Sequence, residues 1–107
     1  MSDGLWLTGR MIAAARALAG VGQDDFAAAA GLPLEALRGI EAGGSAFVSS
    51  EEDERALHRA LEHFGVVPVR ESHDLGAGVR LKFTRQDVRQ MTRLEGEGGI
   101  VGSDDAP

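Results

Sequence analysis

The chain has no cysteine and no tyrosine, one tryptophan and three prolines in 107 residues. Without cysteine there are no disulfides, thiolate metal sites or cysteine nucleophiles. Four Phe and one Trp cannot line a wide aromatic pocket. Much of the 43% hydrophobic content is alanine, which suits closely approaching helices. No apolar run reaches the roughly 18 residues a membrane helix needs. The N-terminus lacks the charged start and long apolar stretch of a secretory signal. The expected location is therefore cytoplasmic, with no membrane partner. The length fits one domain with short additions. A chain of this size buries only about two-thirds of its unfolded surface, so self-association would help its stability.

Positive charge is scarce too. The formal net charge is −6, which opposes nucleic-acid binding because phosphate contacts need a basic surface. The distribution is uneven. Residues 1–65 hold five Arg against ten Asp and Glu, whereas residues 66–93 hold six basic and three acidic residues. Residues 94–107 hold four acids and no base. The basic charge sits in the C-terminal third.

Periodicity and capping signals predict the elements. Thr8 reads as an N-cap with Leu7 and Ile12 as a hydrophobic staple, starting a helix from about Gly9 to Ala19 that Gly20 and Gly22 end. A second helix, roughly Gln23 to Ala30, carries Asp24 and Asp25 in its first turn, and Gly31 stops it. A third, about Pro33 to Glu41, has Leu34, Leu37 and Ile40 at three-residue spacing. Ser49 and Ser50 before Glu51, Glu52, Asp53 and Glu54 open a fourth that runs to about Phe64. The period then changes. "VVPVR" and "VRLKF" are short strand-like runs joined by the polar "ESHDLGAG", and Pro68 places the first at an edge. Thr84 is expected to cap a last helix with Val88, Met91 and Leu94 on one stripe, and an acidic glycine-rich tail, expected to be disordered, follows from Gly96.

The segment "MIAAARALAGVGQDDFAAAAGLPLEALRGIEAGGS" resembles the Xre-type helix-turn-helix family, which includes the Cro and lambda-type phage repressors. The matching positions are Arg16 in helix one, Gln23 opening helix two, Phe26-Ala27, the turn Gly31, Leu37, and Glu41-Ala42-Gly43. "GAGVRLKF" looks like the end of the hairpin in the short members of that family. The resemblance spans about residues 8–83. It implies a mainly α fold: a five-helix repressor-type core over residues 1–65, then a hairpin and C-terminal helix over 66–95, then the tail 96–107. It also implies a homodimeric, sequence-specific regulator of transcription that lays helix three in the major groove of double-stranded DNA. The hairpin and last helix are expected to make the dimer contact, since an edge strand at 66–70 invites pairing.

Arg16 and Glu41 are charges on otherwise apolar helices, costly to bury unless paired. The resemblance implies a salt bridge between them; the alternative is two solvated charges. By the same resemblance Gln23 donates to a DNA phosphate at the start of helix two, or else only caps that helix. The base-facing stretch begins at Pro33 and offers Leu34 to a thymine methyl, Glu35 to cytosine and Arg38 to guanine or phosphate, while Gly39 reads nothing. Ser45 joins this candidate surface. Arg85, Arg89 and Arg93 recur every four residues and form either a phosphate-gripping stripe or a solvated face. The weak base-reading set and the acidic core also fit a second class, an acidic interaction module such as an antitoxin or anti-regulator that binds a protein through the same surface.

No cofactor or metal is expected. His58, His63 and His73 lack metal-ligand spacing, and His58 with Glu62 at i, i+4 reads as a surface contact. Ser72-His73-Asp74 are consecutive, so their side chains diverge. The glycines lack the Lys-Ser/Thr of a phosphate loop. Nothing assembles a nucleophile, base and oxyanion site, so an enzyme is not expected.

Overall fold

Thr8 adopts extended backbone and its hydroxyl accepts the Met11 N–H at 3.2 Å, which starts α1 at Gly9–Ala19. The computed structural model describes residues 5–84. α2 (Gln23–Ala30) ends at Gly31, whose φ of +74° lies in the left-handed region that favours glycine. Two residues later Pro33, with ψ 148°, is the N-cap of α3 (Leu34–Ala42); its carbonyl accepts from Ala36 and Leu37. Ser50 Oγ accepts the Asp53 N–H at 3.1 Å to open α4 (Glu51–His63).

α4 is followed by Gly65 at φ +71° and then by β1 (Val66–Val69). β1 pairs antiparallel with β2 (Gly78–Leu81), Val66 opposite Leu81 and Val69 opposite Gly78. Lys82 N–H bonds the Gly65 carbonyl at 2.7 Å. Bonded rows alternate in such a pair, so Pro68, opposite Val79, falls in a row that needs no N–H from it. The buried Val66 and half-buried Pro68 face the helices, whereas Val67, Val69 and Arg80 lie on the outer face.

The core is drawn from every layer. Leu7, Ile12, Phe26, Leu37, Leu57 and Leu61 are fully enclosed, Val48 and Val66 join them, and Val79 and Leu81 of the hairpin pack on this cluster. Phe64 stacks on Phe26 with ring centres 5.8 Å apart. α1 meets the end of α3 so closely that a Cβ at Gly9 would collide with the Ile40 carbonyl.

The expected five-helix core with a hairpin and C-terminal helix is corrected on this point. The described residues hold four helices and a two-stranded hairpin, and β1 follows directly on α4. The cause is local. After the glycine stop, Val66-Val67-Pro68-Val69 combines β-branched residues with a proline, a composition that disfavours another helical turn and suits an edge strand. The helix expected after Thr84 lies outside the described residues.

Candidate nucleic-acid interface

Three elements converge on one carboxylate. Arg16 of α1 grips Glu41 of α3 in a two-pronged pair, Nε to Oε2 at 2.7 Å and Nη2 to Oε1 at 2.8 Å. Its Nη1 also donates to the Val21 carbonyl at 3.2 Å. Gln23, at the start of α2, donates its amide to Glu41 Oε1 at 3.1 Å. The Glu41 side chain is only 9% exposed. Burial pushes its carboxyl upward, but the hydrogen bonds from Arg16 and Gln23 and the charge of Arg16 outweigh this and hold it below the ordinary glutamate value. Arg16 is raised in turn by its hydrogen bond to Glu41. The cluster fixes α3 against α1 and the first turn of α2.

Only Leu37 of α3 is buried. At about 100° per residue, Glu35, Arg38, Gly39 and Ala42 share the outward arc, and all four are exposed. Leu34 and Glu41 flank this arc on one side and Ala36 and Ile40 on the other, and all four are half-buried. Glu35 and Arg38 approach to 3.7 Å, with side chains 86% and 55% exposed. Pro33 is exposed ahead of the helix, and Ser45 is exposed in the loop beyond it. Arg85 and Arg89 lie outside the described residues.

The structure thus brings Arg16, Gln23 and Glu41 together and sets Glu35, Arg38 and Gly39 on one surface. Gln23 has one donor committed to Glu41, and Leu34 is half-buried rather than standing clear. Asp24 and Asp25 are exposed in the first turn of α2, where they oppose an approaching phosphate.

Sequence reasoning passed over two neighbours of this surface. Arg10 is exposed, and its backbone N–H bonds the Gly44 carbonyl at 2.9 Å, which sets this base beside the α3–α4 loop. Phe47 in that loop is 64% exposed. It borders a shallow groove of about 330 Å³ floored by Ala36, Ile40 and Val48 and edged by Asp53. Both placements depend on the fold bringing the loop to α1 and α4, and no local spacing signals them.

Glu54 was missed as well. This buried carboxylate accepts the Leu7 N–H at 3.3 Å and the Trp6 N–H at 3.5 Å, and it pairs with His58 at 3.2 Å. His58 therefore engages the glutamate one turn before it, rather than Glu62. Among the described residues no group of three or more His, Asp or Glu could hold a metal ion, and no helix is long and apolar enough to cross a membrane. No family model, curated protein or solved structure matches the chain.

Proposed function

We propose that the chain is a sequence-specific DNA-binding regulator of transcription, of the Xre-like helix-turn-helix kind, acting as a homodimer on a near-palindromic operator. The observation that carries the reading is the α2–α3 unit. Two short helices are joined by Gly31-Leu32-Pro33, and α3 keeps one residue in the core while its outward arc stands free. A three- to four-residue turn containing glycine, followed by an exposed second helix, is the geometry that enters a major groove. The Arg16–Glu41–Gln23 cluster supports it by tying the exposed helix rigidly to its support. In a dimer the two α3 helices would meet half-sites about 34–36 Å apart.

The test is selection of sheared genomic DNA by the purified protein near physiological salt, with Arg38→Ala as control. Enrichment of one near-palindromic sequence, weakened in the control, supports the reading. A wild-type protein that enriches nothing overturns it.

A second reading rests on the exposed Phe47 and its apolar groove, with Asp53 at the rim. A surface of that kind suits a basic, apolar segment of a partner protein, and the chain would then be an acidic interaction module. Phe47→Ala separates the two: it abolishes partner binding in the second case and spares operator selection by α3 in the first.

A further inference from the structure

The outward arc of α3 carries two ionisable side chains, Glu35 and Arg38, and they have opposite sign. Ionised glutamate only accepts hydrogen bonds and arginine only donates them. Their mutual contact is long, at 3.7 Å, and both are largely in solvent. Such a pair holds little energy, so each group can exchange its partner for a base edge at small cost.

Gly39 stands one turn beyond Glu35 on the same arc. A Cβ there would meet nothing within 4 Å, and Gly39 is absent from the glycines with positive φ. The fold therefore does not require glycine at this position. A helix-interior glycine weakens a helix relative to alanine. What its bare backbone permits is close approach of another molecule to α3 beside Glu35 and Arg38.

Of the base pairs, G·C divides its major-groove polar groups cleanly: guanine presents two acceptors, O6 and N7, and cytosine an amino donor at N4. An acceptor-only and a donor-only side chain one helical turn apart match that division. We propose that Glu35 and Arg38 together read a C·G pair in each half-site. Glu35 accepts from cytosine N4, Arg38 donates to guanine O6 and N7, and Gly39 lets α3 sit close enough for both. This rests on the DNA-binding reading above and adds the base pair recognised.

The experiment is selection from a random duplex library by the full chain, in wild type and in Glu35→Gln, Arg38→Ala and Gly39→Ala forms. Thermal unfolding of each variant verifies the fold. The wild-type motif is expected to hold a C·G pair at a fixed place in both halves. Glu35→Gln should move the preference at the cytosine toward adenine, which glutamine can grip through N6 and N7, by about tenfold or more. Arg38→Ala should relax the preference for guanine. Gly39→Ala should melt no lower than wild type yet bind the operator at least tenfold more weakly. If wild type selects a motif that lacks the C·G pair, or Glu35→Gln selects the wild-type motif, this inference is overturned while DNA binding stands. If wild type selects no motif, the DNA-binding reading falls and takes the inference with it.

Discussion

At the residue scale the most consequential atoms are the two oxygens of Glu41. They take three side-chain hydrogen bonds from two other elements. Removing the carboxylate leaves the guanidinium of Arg16 partly buried without its partner. Loss of one member of a fully buried pair costs about 3–5 kcal/mol, and the 21% exposure of Arg16 moderates that. Glu41→Ala is expected to destabilise by about 2 kcal/mol, or roughly 10 °C in Tm for a domain of this size, as thermal unfolding would show; an unchanged Tm would refute the role assigned to the pair. The carboxyl is held below its ordinary value when folded. Its contribution is therefore complete above the ordinary glutamate range and is lost as pH falls through that range to the depressed value. Wild type should lose stability on acidification over this interval more steeply than Glu41→Gln. The Arg16–Glu41 pair was expected from the resemblance; the residues themselves said only that burying either charge would be costly without a partner. That Gln23 joins them was not legible, since its position at a helix start gives no sign that the end of α3 folds back onto it. Gly9 was equally silent. Gly9→Ala would press a methyl into the Ile40 carbonyl, and a loss of about 2–3 kcal/mol is expected from such overpacking against backbone, again measured by melting.

At the scale of elements, the helices were legible because their ends are written in single residues. Thr8 and Ser50 cap with their hydroxyls, and Gly20 and Gly31 turn left-handed where each helix stops. The hairpin was legible from the change of period and from Pro68, with ends displaced by a residue or two because fraying strands carry no such marker. The five-helix expectation came from the resemblance rather than from any helical pattern after Gly65, and the strand there follows from the residues themselves. Glu54 shows a different gap. Four acids in the first turn of α4 look interchangeable as favourable charges near the positive end of the helix. Only packing distinguishes the one that turns inward to hold the backbone of Trp6 and Leu7. Trp6 is held further by His58, with ring centres 5.9 Å apart, and by Arg70, 4.4 Å above its ring. Glu54→Ala would leave the buried Leu7 N–H without its acceptor, a loss of about 2 kcal/mol. It should also shift the fluorescence of the single tryptophan toward a solvated environment. Glu52→Ala, on the exposed side of the same turn, should do neither.

At the scale of the molecule, the proposed function has to be reconciled with a net charge of −6. Each phosphate neutralised contributes about −0.9 to the slope of log affinity against log salt. With few bases near α3, affinity should depend weakly on salt unless the C-terminal third contributes. Exchanging Arg85 and Arg89 together for Glu should then lower affinity and flatten the slope by about 2 if both grip phosphate, whereas an unaltered slope would remove them from the interface. Dimerisation is the other requirement, because a near-palindrome is read by two copies. Removing everything after Gly65 would be a poor test, since Val66, Val79 and Leu81 pack in or on the core that the four helices share. The outer face of the hairpin allows a cleaner one. Val67 and Val69 are exposed there, and Val67 lies directly opposite Arg80. Glutamate at 67 would gain a cross-strand partner of opposite charge, so the hairpin itself should hold. Across a two-fold axis the same change puts like charges face to face. Val67→Glu combined with Val69→Glu should therefore keep the native circular-dichroism spectrum and a cooperative melt, lower Tm only by the share that subunit association contributes, convert a dimer to a monomer on a calibrated sizing column, and weaken operator binding with it. A dimer that persists in the double variant would place the subunit contact on another surface.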